Sequence, residues 1–149
     1  MQIYLDCCCL NRPYDDLSSH TIRMEAEAVL SIIDNCDSSD WIFISSDVLL
    51  DEVLQISNQD KRDKVLMLYN AAGRHIDITD EIAYRAKELE QYNIKSYDAL
   101  HLASAESIGA DVLLTTDKSF INSTKRSGTK VAVKNPLKWL TEVLYDAES

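Results

Sequence analysis

Four carboxylates stand where apolar runs end or helical patterns begin: Asp6 after QIYL, Glu52 within SSDVLLDEVLQI, Asp98 in SYDALHLASA and Asp117 in TTDKSF. Carboxylate oxygens drawn from separate segments are hard ligands, suited to divalent cations and through them to phosphate chemistry. Each acid alone has a plainer explanation. Asp6 can close a turn, and Asp117 can cap a short helix beginning at Lys118. Asp98, with Ser96 before it as the N-cap, gains about 0.3–1 kcal/mol from the helix dipole in the first turn. Glu52 is harder to dismiss, because it falls on the apolar stripe of Val48, Leu49, Val53 and Ile56. A charge facing the core side is rare without a partner. Asp51 points about 100° away and is the solvated neighbour. The helix behind Asp98 stays small and apolar to Ala105 and Ile108, the composition of a central helix whose start is aimed at a shared rim. One common site accounts for all four acids more economically than four separate accidents.

The elements that position these acids follow from the apolar pattern. Runs at 2–5, 41–45, 111–116 and 130–133 predict buried strands. Between them Ile22, Ala26, Val29, Leu30 and Ile33 share one helical face, and Ser46 caps the helix that carries Glu52. Val65, Leu68, Tyr69 and Ala72 mark another helix, stopped by Gly73, and Ile82, Ala86 and Leu89 a further one after Thr79. The last begins at Pro136 and carries Trp139, Leu140, Val143 and Leu144. Strands alternating with helices of this length imply parallel pairing, since parallel strands need crossovers. The expected architecture is α/β: a single three-layer domain over residues 1–149, with a central, mainly parallel sheet flanked by helices. In such sheets the functional crevice lies beyond the carboxyl ends of the strands. That puts Asp6 and Asp117 on one rim.

Composition sets the outer bounds. A chain of 149 residues with 46% hydrophobic residues, 3 Gly and 2 Pro has the make-up of one compact domain. Its formal charge of −10 excludes a broad basic face for gripping nucleic acid. It does not exclude a nuclease, whose acidic site is offset by divalent cations while a few local basic residues meet phosphates. No apolar run approaches the roughly 18 residues of a membrane span, and MQIYLDCCCL lacks the basic stretch of a signal peptide. The expectation is a cytoplasmic protein with no membrane contact. Cys7, Cys8, Cys9 and Cys36 read as small reduced thiols. On an extended segment, adjacent cysteines point to opposite faces and do not converge on one metal.

The segments YLDCCCLNRP, SSDVLLDEVLQI, YDALHLASAESIGADVLLTTDKSF and VAVKNPLKWL together resemble a PIN domain, in particular the ribonucleases of the VapC toxin type. The third is the most specific, joining an Asp at a helix start, an Ala/Leu-rich helix and a strand ending in T-T-D. The resemblance runs from Ile3 to about Leu140. It implies that Asp6, Glu52, Asp98 and Asp117 form the acidic cluster that holds Mg²⁺ or Mn²⁺. Asp6 and Asp98 are then the principal ligands, Asp117 a ligand to the same or a second ion, and Glu52 a ligand or the orienter of the attacking water. Two such ions about 4 Å apart activate water and stabilise the leaving oxygen of an in-line phosphodiester cleavage. Many PIN domains carry Thr or Ser after the first Asp, where this chain has Cys7. Thr115, Thr116 and Ser119 are the nearby hydroxyls, with Thr116 the first choice to stand in.

The resemblance further implies a metal-dependent endoribonuclease, the toxin half of a toxin–antitoxin pair, acting on RNA as a homodimer with an antitoxin protein as partner. Arg12, Thr116 and Lys118 are candidate contacts to RNA, although a loop arginine is more often simply solvated. Arg85 has nothing in its spacing to single it out. His101, one turn after Asp98, fits ordinary hydrogen bonding better than metal ligation, and Trp41 and Trp139 fit core packing better than base stacking. Two other classes remain open. One is a catalytically silent PIN fold that binds RNA or protein. The other is a receiver-like phosphoacceptor, in which Glu52 would have no role.

Overall fold

The first strand, β1 (Gln2–Leu5), has Ile3, Tyr4 and Leu5 wholly buried. Ile3 and Leu5 join one hydrophobic cluster and Tyr4 the other, so the strand is covered on both faces. In the computed structural model, which describes residues 1–148, β1 is the middle of a five-stranded sheet. Its companions are β2 (Ile42–Ser46), β3 (Arg74–Ile76), β4 (Val112–Leu114) and β5 (Ala132–Lys134), in the order β3-β2-β1-β4-β5. Every pairing is parallel, with Tyr4 opposite both Ile44 and Leu113. The order reverses direction between β1 and β4, the switch point at which open α/β sheets place their ligand crevice. A receiver-like domain has a different order, 2-1-3-4-5, so that reading falls.

The helices are α1 (Cys7–Asn11), α2 (His20–Ser38), α3 (Asp47–Leu54), α4 (Gln59–Tyr69), α5 (Asp80–Glu90), α6 (Ser96–Ser107), α7 (Lys118–Thr124) and α8 (Pro136–Glu148). Val29 and Ile32 of α2, Leu49 and Val53 of α3, Val65 of α4 and Trp139 and Leu140 of α8 cover the Ile3 face. Ile82 and Leu89 of α5, Ala99, Leu102 and Ala103 of α6 and Phe120 of α7 cover the Tyr4 face. The result is the three-layer α/β domain expected. Trp41 and Trp139 meet with ring centroids 5.2 Å apart, a packing role for both.

Three local expectations are corrected. β3 was not anticipated, because an edge strand with only Ile76 buried presents no apolar run. Cys7, Cys8 and Cys9 form the first turns of α1 rather than an extended segment, held by Asp6 as N-cap. α6 starts at Ser96, not after it: Lys95 holds the cap position without a side-chain bond, and the Ser96 hydroxyl donates instead to Glu90 at 2.6 Å. Gly109, at φ +65°, ends α6 by letting the Ala110 N–H reach back to the Ala105 carbonyl at 3.0 Å, which sends the chain into β4.

Candidate active site

Asp6 continues the β1–β4 ladder, its N–H bonding the Leu114 carbonyl at 3.2 Å, and is 4% exposed. Its Oδ1 accepts the Cys9 N–H at 3.1 Å, capping α1, and the Cys8 thiol at 2.9 Å. The Thr115 hydroxyl also bonds the carboxylate, from a fully buried position at the end of β4. The hydroxyl beside Asp6 is therefore that of Thr115, not Thr116, whose N–H donates to the Cys8 sulfur at 3.4 Å. Burial, and then the neighbouring Cys8, push the Asp6 carboxyl well above the ordinary carboxylate range. Because α1 is helical, Asp6, Cys8 and Cys9 gather their ligand atoms within 4.8 Å of one another, contrary to the expectation for an extended segment. Cys9 keeps its proton engaged with the Leu114 carbonyl at 3.3 Å.

Glu52 is held by a residue that lies on another helix. His101 of α6 is wholly buried and bonds Glu52 through Nε2. Its Nδ1 meets the Tyr4 hydroxyl at 2.5 Å, and that hydroxyl meets the Ser46 Oγ at 2.6 Å. Ser46 in turn caps α3 by accepting the Leu49 N–H at 3.1 Å. Within this relay the His101, Tyr4 and Ser46 side chains each have a partner, as burial requires. Burial pushes the Tyr4 phenol far up, so the hydroxyl keeps its proton. The sequence pointed to His101 as a hydrogen-bonding residue but not as the support of Glu52. Its signal was a lone polar ring on an otherwise apolar helix. Asp51, exposed, bonds Tyr97 and Gln55 and takes no part.

Asp98 sits in the first turn of α6, half-buried. Burial raises its carboxyl to about 6, and Asp6, Asp117 and Glu52 add to the rise while His101 opposes it. Asp98 is thus near enough to Asp6, Asp117 and Glu52 for each of their charges to act on it. Among the described residues no donor is hydrogen-bonded to the Asp98 carboxylate. Asp117 caps α7, its Oδ1 accepting the Ser119 and Phe120 N–H groups at 2.9 and 3.2 Å. Its own N–H reaches the Thr115 hydroxyl at 3.1 Å, tying it to the strand end that also supports Asp6. The donor set fits a hard divalent cation: carboxylate oxygens in excess, no ammonium or guanidinium among their bonded partners, and Asp98 without a donor.

The remaining predicted contacts lie as follows. Arg12 is drawn inward, pairing with the buried Glu25 at 2.9 Å and with Asp15 at 3.0 Å. Glu25 also accepts the Asn135 amide, so one buried carboxylate joins the turn after α1, α2 and the start of α8. Thr116 is half-buried, and Lys118 is exposed on the first turn of α7. Arg85 pairs with Glu106 at 2.8 Å, near the end of α6 remote from Asp98.

Strand order, an acidic switch point and the gathered carboxylates define an α/β domain with a candidate metal-dependent site. A family model for the PIN domain matches residues 3–125, and the chain belongs to that family, whose members are typically nucleases that use divalent metals. Among solved structures it is similar to VapBC2 from Rickettsia felis bound to a DNA fragment from their promoter. That match has 18% identity and a TM-score of 0.57, over 91% of this chain and 98% of the other. It is similar to VapBC-1 from nontypeable Haemophilus influenzae at 14% identity and 0.57, again over 91% and 98%. PAE2754 from Pyrobaculum aerophilum matches at 15% identity and 0.56, over 98% of this chain and 96% of that one. No curated protein matches the sequence. Among the described residues no helix is long and apolar enough to cross a membrane.

Proposed function

We propose that this protein is a divalent-metal-dependent endoribonuclease, cleaving RNA phosphodiester bonds as the toxin of a toxin–antitoxin pair. The observation that carries the reading is Asp98: a half-buried carboxylate with no hydrogen-bond donor among the described residues, raised to about 6 by burial and three neighbouring acids. An arrangement of that kind is costly without a cation. Asp6, Asp98 and Asp117 would hold Mg²⁺ or Mn²⁺, with Glu52 as a further ligand or as the group that orients the attacking water. When bound, such an ion supplies Lewis-acid polarisation of the phosphodiester and an acidified water. The chain's own residues do the positioning. His101 fixes Glu52, the Cys9 N–H and the Thr115 hydroxyl fix Asp6, and the α7 amides fix Asp117. The toxin role and a protein antitoxin are supported by likeness to two VapBC structures, and the homodimer and cytoplasmic setting belong to the same proposal.

The test is cleavage of a mixed structured RNA pool by wild-type protein and Asp98→Asn, each with Mg²⁺, Mn²⁺ or EDTA. The expected result is cleavage by the wild type that disappears with EDTA and falls at least 100-fold, on the order expected for loss of a charge-stabilising group, in the variant. Folded wild type that cleaves nothing with either metal would turn the reading toward a silent binding module.

A further inference from the structure

The chain has 15 Lys and Arg against 25 Asp and Glu, yet one of its grooves has the opposite sign. This groove, about 510 Å³, runs between α7 and α8 and is lined by Lys118, Lys125, Lys134 and Lys138, with Glu142 as its single carboxylate. Glu142 pairs with Lys134 at 2.9 Å. Among the described residues, Lys118, Lys125 and Lys138 have no carboxylate within ion-pair distance, and all three are exposed. Ile121 and Val133 form part of the lining and give the groove an apolar surface.

Its position is set by the same strand ends that hold the acids. Lys118 directly follows Asp117, and the Thr115 N–H bonds the Lys134 carbonyl at 3.0 Å. The groove therefore opens beside the carboxylate cluster and leads away from it. Lys118 and Lys125, seven residues apart, lie on one face of the α7 segment. Lys134 ends β5, and Lys138 follows the Asn135 cap of α8, whose Oδ1 accepts the Leu137 and Lys138 N–H groups at 2.9 and 3.3 Å. Lys134 and Lys138 lie beyond residue 125, where the family match ends.

We infer that this lysine groove is a binding track for the phosphate backbone of single-stranded RNA flanking the scissile bond, an inference that rests on the nuclease reading above. Three exposed ammonium groups spaced along a trough suit a flexible polyanion, which gains by releasing its condensed counterions. A small phosphodiester would reach the acids without touching the groove. A strand of several nucleotides would occupy both. Lysines act here as point charges rather than readers of base edges, so the track adds affinity and direction without sequence preference.

The experiment compares wild type with Lys125→Gln/Lys138→Gln, both exposed positions outside the acidic cluster, on three readouts. Binding of a fluorescein-labelled 20-nucleotide single-stranded RNA is followed by anisotropy in EDTA across a salt series. The variant should bind at least fivefold more weakly, and its log K against log salt slope should be shallower by about 1.4, some 0.7 for each lost lysine contact. Cleavage of the same RNA should show a raised KM with kcat little changed. Hydrolysis of bis-p-nitrophenyl phosphate with Mn²⁺ should be the same for both proteins. Equal RNA affinity and equal salt slopes for the two proteins overturn the inference while leaving the nuclease reading intact. A wild type that does not bind the RNA at low salt also overturns it, in favour of an acidic protein segment as occupant. If neither substrate is cleaved, the nuclease reading fails, and the anisotropy comparison still decides whether the groove holds RNA.

Discussion

In metal-free protein, Asp98 makes stability fall as pH rises. Its carboxyl titrates at about 6 in the fold against an ordinary 3.8. Between those values the folded chain holds a proton that the unfolded chain has released. Stability changes with pH in proportion to protons bound by the unfolded state minus those bound by the folded state, so the slope here is negative. The stabilisation is fully present below about pH 3.8 and is lost as pH passes through about 6. At 1.36 kcal/mol per unit the full effect is about 3 kcal/mol, and solvent screening at a half-buried group reduces it to about 2 kcal/mol. Asp6, whose carboxyl is also raised, acts in the same direction, so the comparison needs a variant lacking only Asp98. Urea denaturation of wild type and Asp98→Asn in EDTA, from pH 4.5 to 7.5, supplies it. The advantage of the variant over wild type should grow by about 1 kcal/mol from pH 4.5 to pH 7.5, about a third of the full effect having been lost below pH 4.5. Millimolar Mg²⁺ or Mn²⁺ at pH 7.5 should then restore the wild type and leave the variant much less affected. Two stability curves that stay parallel across this range, with no response to either metal, refute a cluster of mutually repelling carboxylates.

Tyr4→Phe retains the buried ring but deprives His101 Nδ1 and Ser46 Oγ of a partner. It should lower stability by about 1–3 kcal/mol in denaturant titrations, and no loss would show that the chain of bonds behind Glu52 is dispensable. Arg12→Ala leaves the Glu25 carboxylate buried with only Asn135 as donor. The same titration should register a loss of about 3 kcal/mol, far more than a solvated loop arginine would give. Gly109→Ala should cost about 1 kcal/mol, because φ +65° strains any residue with a Cβ although nothing lies within 4 Å of that position. A melting temperature unchanged by this substitution would contradict the left-handed turn.

Legibility in the sequence tracked how many faces of an element are buried. Residues 2–5 and 112–114 are covered on both sides and appear as apolar runs. Arg74–Ile76 pairs on one side only and buries one residue, so its sequence is that of a loop. The Cys7–Asn11 helix is too short to show a period, and its sole marker is the capping Asp6, which the sequence offers equally to a turn. Asp6, Asp98 and Asp117 stood out because each follows a strand or opens a helix, and Glu52 because it falls on the apolar stripe of its helix. His101 and Thr115, which support two of them, were not assigned those tasks, since the bonds that define them join residues 49 and 109 positions apart. The lysine groove was invisible for the same reason: its charges arrive from three elements, and although Lys118, Lys134 and Lys138 lie within recognised segments, nothing in the sequence brings those segments together.

The supports also decide which acid carries the strain of the cluster. Asp117 has two backbone donors on one oxygen, and Glu52 has the imidazole of His101. Asp6 has a backbone donor, a thiol and a hydroxyl, which partly offset its deep burial. The backbone, imidazole and hydroxyl bonds favour an ionised carboxylate, whereas Cys8 pushes the Asp6 carboxyl further up. Asp98 has none among the described residues, although it opens a helix whose dipole favours its charge by at most about 1 kcal/mol. Burial, together with the charges of three neighbouring acids, acts here on the one acid with no donor among the described residues. That is a poor solution for a helix start and a sound one for a ligand, because an oxygen already satisfied by a protein donor has less to offer a metal. A first-turn carboxylate kept only for its dipole would have turned outward to water. Asp98 lies near three other acids, whose charges join burial in raising its carboxyl.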